Sequence, residues 1–173
     1  MEKCTVENID WKTWTPDEKG AGVIVFIIDD EHKKTVLIHK KTGLGAGKIT
    51  APGGKIEKNE TAGEAAVREC QEEVSLTPLN AEKCAELFFH FTSGFKMLCD
   101  VFFSKAWKGE IAESIEAVPF WCGLDEIPID KMWEDNKYWL SSALCGKKIR
   151  GYYIYDNDKI ISQKTEEVKN FDE

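Results

Sequence analysis

Residues 54–76, Gly54 to Leu76, read GKIEKNETAGEAAVRECQEEVSL. Thr61 and Glu64 have the spacing of a capping box, so a helix is predicted to start just after Thr61. At about 100° per residue, Glu69, Glu72 and Glu73 fall on one face of it as i, i+3 and i+4. Ala62, Ala65 and Ala66 continue that face and are small enough to let a ligand approach. Gly63, Val67, Cys70 and Val74 form a second stripe, roughly 130° away, expected to bury against a core.

Three carboxylates within one turn repel one another, by a few tenths of a kcal/mol (~0.3) per solvated pair and more when half-buried. A hard divalent cation resolves the conflict, since Mg2+ prefers oxygen ligands and bridges carboxylates to substrate phosphates. On composition alone, a Glu-rich helix more often presents a solvated acidic face. The flanks favour the cation: Gly53-Gly54 suits a close approach of backbone to ligand, and Arg68 offers a rigid fork to orient the acids.

The segment resembles the Nudix box, Gly-x5-Glu-x7-Arg-Glu-U-x-Glu-Glu-x-Gly-U with U aliphatic. Gly54, Glu60, Arg68, Glu69, Glu72 and Glu73 match at the required spacing. Cys70 replaces an aliphatic residue, a mild change because buried Cys behaves as a small hydrophobe. Ser75 replaces the late Gly, which alters the turn after the helix and removes no carboxylate. The resemblance implies an α/β (α+β) fold, an α/β/α sandwich with a mixed sheet and a catalytic loop-helix-loop. It also implies hydrolysis of a nucleoside diphosphate linked to another moiety, with Mg2+ or Mn2+ as cofactor.

Composition agrees with one globular domain. The chain has 173 residues and a net charge of −8. That charge, with no basic face to offset it, disfavours nucleic-acid backbone as a partner, whereas a metal can reconcile it with a small polyphosphate. No apolar run approaches about 18 residues and the N-terminus has no apolar signal region, so no membrane association is expected. Six scattered Cys without a CxxC pair read as reduced thiols of a cytoplasmic protein. A monomer is expected.

Along the chain, residues 1–19 read as an arm whose Trp11 and Trp14 cover a core edge. GAGVIVFII (20–28) and TVLIHKK (35–41) read as a hairpin. TGLGAGK (42–48) is either a connector or a rim over a ligand; it lacks the ending of a P-loop. After the helix, Pro78 is expected to end regular structure. Residues 85–92 and 96–107 form an aromatic hairpin around Ser93-Gly94-Phe95, and 117–122 another strand. Residues 137–145 have helical spacing, and 151–155 with 159–162 close a last hairpin. Residues 165–173 are expected to fray. The domain is taken as 20–168, between the arm and a tail at 169–173.

Met132-Trp133-Glu134-Asp135-Asn136 sets aromatic faces beside an acid, which suits either a base-stacking platform or core aromatics with an N-cap at Asp135. Here the chain is similar to the MutT-like branch of the family, over residues 20–168, whose mammalian members hydrolyse oxidised purine nucleoside triphosphates such as 8-oxo-dGTP. That resemblance implies metal ligands at Gly53, Glu69, Glu72, Glu73 and Glu116. It implies substrate contacts at Lys40 and at Gly53, Gly54 and Lys55, base stacking on Trp133, and base reading by Asp135. Leu44, Phe89 or Phe91, Leu98 and Trp139 would line the pocket.

Two base-reading positions depart from the branch: Asn136 stands for a second acid and Thr50 for an Asn. The implied reaction gives a nucleoside monophosphate and pyrophosphate. Glu72 or Glu73 serves as base, with Glu69 and Arg68 in the catalytic set and Glu60 in support. Methylated purine triphosphates, dinucleoside polyphosphates and nucleotide sugars remain as other substrates, and a non-catalytic nucleotide sensor as another class.

Overall fold

The computed structural model describes residues 3–172. In chain order its strands are β1 (Ala21–Asp29), β2 (Lys34–Lys40), β3 (Ile49–Thr50), β4 (Gly53–Lys55), β5 (Thr77–Leu79), β6 (Glu82–Phe91), β7 (Lys96–Ser104), β8 (Ala106–Lys108), β9 (Ala117–Gly123), β10 (Lys148–Asp156) and β11 (Lys159–Val168). Two helices, α1 (Ala62–Val74) and α2 (Asn136–Leu144), accompany them. The main sheet runs β11-β10-β6-β7-β1-β2-β3, with β4 on β1 and β9 on β2. It is mixed: β1 runs parallel to β7 and β6 parallel to β10, while the hairpins β6–β7 and β10–β11 are antiparallel.

Strand alternation makes this sheet the middle of a sandwich. Val23, Val25 and Ile27 pack with Ala65, Ala66, Cys70 and Val74 of α1. Phe26 and Ile28, one residue out of phase, pack with Trp139, Leu140 and Ala143 of α2. A two-residue period on a strand buried on both faces places the helices on opposite sides.

α1 begins at the expected residue. Thr61 caps the Glu64 amide, and the Glu64 carboxylate returns to the Thr61 amide. Ser75, where the family motif has Gly, ends the helix in the left-handed region at φ 64°, its N–H donating to the Gln71 carbonyl. The alanine face is corrected: Ala65 and Ala66 are fully buried in the core, whereas Gly63 is exposed and Val67 only half-buried. The buried arc of α1 therefore centres nearer to the glutamates than the apolar stripe alone implies.

Four further details differ from the sequence expectations. Pro78 sits within the short strand β5, paired with Trp107 of β8. The 96–107 stretch breaks at Lys105 into β7 and β8. Residues 165–168 do not fray; they pair with Lys148–Gly151, and Arg150 Nη2 donates to the Phe171 carbonyl. The arm covers a face of the sheet rather than an edge: Trp11 and Trp14 pack on Phe88 of β6, Trp11 also on Tyr152 of β10, and Trp14 Nε1 donates to His90 Nδ1. No helix of the described residues is long and apolar enough to cross a membrane.

Candidate active site

The sheet forks beside β1. One edge of that strand pairs with β4 at Gly22–Ile24 and with β2 only at Ile28–Asp29. At the fork lies a cavity of about 530 Å3, reaching from the glutamates of α1 to the segment before α2. Its size falls within the usual range for small-molecule sites.

At the helix end, one carboxylate oxygen from each of Glu69, Glu73 and Glu116 lies within 4.8 Å of the others. Glu73 Oε1 accepts the Gly53 amide at 2.9 Å. Gly54 is obligatory for this arrangement, because a Cβ there would stand 2.4–2.5 Å from the Glu69 carboxylate. Burial pushes the Glu73 carboxyl up to about 7, against the Gly53 hydrogen bond and with help from Glu69. Burial likewise raises Glu69, although Arg68 opposes it. Carboxylates crowded and desolvated in this way attract positive charge. Three hard oxygen donors of this spacing fit a divalent cation, and no soft ligand is among them.

Arg68 organises the acids. Its Nε and Nη2 donate to the two oxygens of Glu60 at 2.7 and 2.9 Å, Nη1 to Glu69 at 2.8 Å, and Nη2 to the Lys55 carbonyl at 2.9 Å. The guanidinium holds the Glu60 carboxyl down at about 2, with the Glu57 amide assisting. Glu60 thus anchors Arg68, and Arg68 aims Glu69 and ties the loop before α1. Glu72 stands apart from the acidic cluster: its side chain is 60% exposed and pairs with Arg68 Nη1 at 3.2 Å. Glu72 and Glu73 lie about 100° apart on the helix, and the buried arc runs through Glu69, Cys70, Glu73 and Val74, which leaves Glu72 at its edge.

Glu116, supplied by the turn into β9, joins the cluster through strand pairing. Lys41 N–H donates to its carbonyl, and Lys41 Nζ holds Glu113 and the Ser114 carbonyl nearby.

Lys40, Gly53, Gly54 and Lys55 line the cavity beside the glutamates, and Leu44, Thr50, Phe89, Phe91, Trp133, Asp135 and Asn136 line the rest of it. The Gly-rich loop is its rim rather than a mere connector. A Cβ at Gly45 would sit 2.6 Å from Trp133 Nε1, and Lys48 Nζ stands 5.0 Å from the Trp133 ring. Two expected lining residues lie elsewhere. On β7, Met97 and Cys99 face the cavity, and the alternation of the strand turns Leu98 away. Trp139 is 1% exposed behind the wall, where its Nε1 donates to Asp135 Oδ2 at 2.7 Å.

Asp135 begins α2 without capping it; its carboxylate is held from behind. Tyr155 Oη donates to Asp135 Oδ1 at 2.6 Å and accepts the Asp135 amide at 2.9 Å. Burial lifts the Asp135 carboxyl to about 6, while the bonds from Tyr155 and Trp139 pull it down. Asn136 Nδ2 donates to the Trp133 carbonyl. Sequence reasoning missed Tyr155, Lys48, Met97 and Cys99 in this wall. The period of the β7 and β10 runs carried a signal for Met97, Cys99 and Tyr155, and the rim reading of the Gly-rich loop one for Lys48.

Known proteins agree with this geometry. The NUDIX domain model matches residues 18–143. An oxidized purine nucleoside triphosphate hydrolase of Danio rerio is 38% identical over 153 residues, covering 87% of this chain and 97% of the relative. The protein of the same description from Mus musculus is 33% identical over 141 residues, covering 80% and 90%. A crystal structure of a MutT protein from Bacillus halodurans superposes with a TM-score of 0.73 at 22% identity, covering 84% of this chain and 97% of that one, and shares the fold. The chain belongs to the NUDIX family, and its class is that of the Nudix hydrolases.

Proposed function

We propose that this protein hydrolyses oxidised purine nucleoside triphosphates such as 8-oxo-dGTP to the monophosphate and pyrophosphate, with Mg2+ (or Mn2+) as cofactor, and so cleanses the nucleotide pool. One observation carries the reading: the carboxylate cluster and a wall of aromatic side chains with one buried acid share a single cavity of nucleotide size. The names of the fish and mouse relatives support the same substrate class.

The roles follow from position. Trp133 stacks on the base, and Asp135 hydrogen-bonds its edge, with Thr50 and Asn136 alongside. Lys40 and Lys55, on the acidic side of the cavity, draw the triphosphate toward the glutamates. Glu69, Glu73 and Glu116 hold the cation, with the Gly53–Gly54 backbone against them. When bound, that cation neutralises phosphate charge and acidifies water. A water attacks a phosphorus of the triphosphate, its proton passes to Glu73 or Glu72, and the anhydride bond between the α- and β-phosphates breaks to give the monophosphate and pyrophosphate. Arg68 and Glu60 keep Glu69 aimed. The protein acts as a monomer on a small-molecule substrate.

Product analysis after incubating 8-oxo-dGTP with Mg2+ tests the reading. Monophosphate and pyrophosphate are expected, and Glu73→Gln should lower kcat by orders of magnitude while keeping the fold. Diphosphate with inorganic phosphate as products, or an undiminished Glu73→Gln, would overturn it.

A further inference from the structure

Tyr155 is the best-connected side chain of the base end, yet no motif marks it. It is 1% exposed, and its hydroxyl holds Asp135 twice, through the carboxylate and through the amide. Its ring meets Trp133 edge-on at 5.2 Å and stacks with Phe91 at 5.4 Å. One strand residue, fixed by the parallel pairing of Tyr155 with Phe91, therefore contacts both groups that the proposed function assigns to the base.

We propose that Tyr155 is a specificity-determining positioning residue: its hydroxyl, with the indole of Trp139, keeps Asp135 a hydrogen-bond acceptor aimed at the base, so that the pocket selects a purine edge presenting an N–H donor. The chemistry is directional. Tyr155 Oη donates to Oδ1 and Trp139 Nε1 to Oδ2, so each Asp135 oxygen receives a donor from the protein. Donors at both oxygens stabilise the carboxylate over the acid. A carboxylate can only accept, whereas a protonated Asp135 would offer a donor and admit the opposite edge. A base that presents an acceptor instead of the N–H sets two acceptors against each other at the buried carboxylate, and the site rejects it.

Tyr155 and Trp139 are the side chains that favour ionisation, with the backbone amide of Asp135 itself assisting. Glu134 beside Asp135, Tyr153 on β10 and Cys99 on β7 each oppose negative charge there or share its burial. Lys40 on β2 lies in the same cavity wall but near Glu73.

This inference rests on the proposed function, and the test separates the two. The binding of 8-oxo-dGMP is measured without metal from about pH 5.5 to 8, for the wild type, Tyr155→Phe, Trp139→Phe, Asp135→Asn and Tyr155→Phe/Asp135→Asn. A hydrogen bond to a charged group is worth about 1.5–3 kcal/mol, so Tyr155→Phe should move the acidic limb of binding up by about one pH unit. Binding would then fall several-fold near pH 6.5 and stay within about twofold near pH 8. Trp139→Phe should move the limb in the same direction, which keeps the idea testable should the Tyr155 variant not fold. In the Asp135→Asn background, Tyr155→Phe should add no pH dependence.

A loss uniform with pH would reduce Tyr155 to a packing role and overturn the inference, as would an unmoved limb in both single variants. A wild type that binds no 8-oxo-dGMP at any pH overturns the substrate reading itself.

Discussion

Gly54→Ala separates site geometry from fold stability. A Cβ at this position would meet the Glu69 carboxyl carbon at 2.4 Å and both its oxygens at 2.5 Å. To regain ordinary contact, the carboxylate must retreat by about 1 Å. The obstacle is the far end of a side chain and the backbone needs no left-handed conformation, so folding should lose no more than about 1 kcal/mol. The cost falls on function, since Glu69 can move only by leaving Arg68 Nη1 or its place beside Glu73 and Glu116. Shifts of that size commonly cost about 100-fold in rate, and lesser disturbances around metal ligands 10–100-fold in affinity, as rough guides. The assay is Mn2+ titration by electron paramagnetic resonance, beside a thermal melt. An expected result is Mn2+ binding weakened at least about tenfold with Tm nearly unchanged. Wild-type Mn2+ affinity in a folded Gly54→Ala protein would refute the placement of the cation at Glu69.

Three other outcomes are expected. Mg2+ should raise Tm, because the cation relieves repulsion among Glu69, Glu73 and Glu116; at about 100 times its Kd the gain approaches about 2.7 kcal/mol, and Glu116→Gln should shrink it. Asp135 moves from 3.8 to about 6 on folding, so the folded protein binds its proton more tightly; the stabilisation is complete below about pH 4 and lost as pH rises through 6. At about 1.4 kcal/mol per unit, wild type should lose about 3 kcal/mol across that window relative to Asp135→Asn in denaturant melts, and parallel curves would contradict the burial of an ionisable acid there. Ser75→Gly should stabilise by about 1 kcal/mol, since Ser75 occupies the left-handed region at φ 64°; a lower midpoint in urea would show that backbone strain does not govern this position.

The local parts of the site are legible in the sequence because they lie within one helix and its lead-in. Thr61, Glu64, Arg68 and Glu69 act on one another over a few residues, and helical geometry fixes their spacing. Helical spacing puts Glu69, Glu72 and Glu73 on one side of α1 but does not say which of them is buried: Glu69 and Glu73 lie in the buried arc, and Glu72 at its edge stays exposed and pairs with Arg68. Glu116 comes from family resemblance alone, because its approach to α1 depends on β9 pairing with β2. Tyr155 reaches Asp135 across twenty residues through a parallel pairing that no short-range pattern encodes. Placing Leu98 in the pocket instead of Met97 and Cys99 is a one-residue error of phase, which in a strand reverses every side chain. Trp139 reads as a pocket aromatic in sequence, but its indole N–H serves the acid behind the wall.

The most direct test is the release of pyrophosphate with Mg2+, compared as kcat/KM across 8-oxo-dGTP, 2-hydroxy-dATP, O6- and N6-methylated purine triphosphates and the ordinary dNTPs. A large advantage for an oxidised purine is predicted, with Thr50 and Asn136 sustaining the reading of its base. Flat, slow rates over the whole panel would contradict it and point the same carboxylates toward dinucleotides or nucleotide sugars.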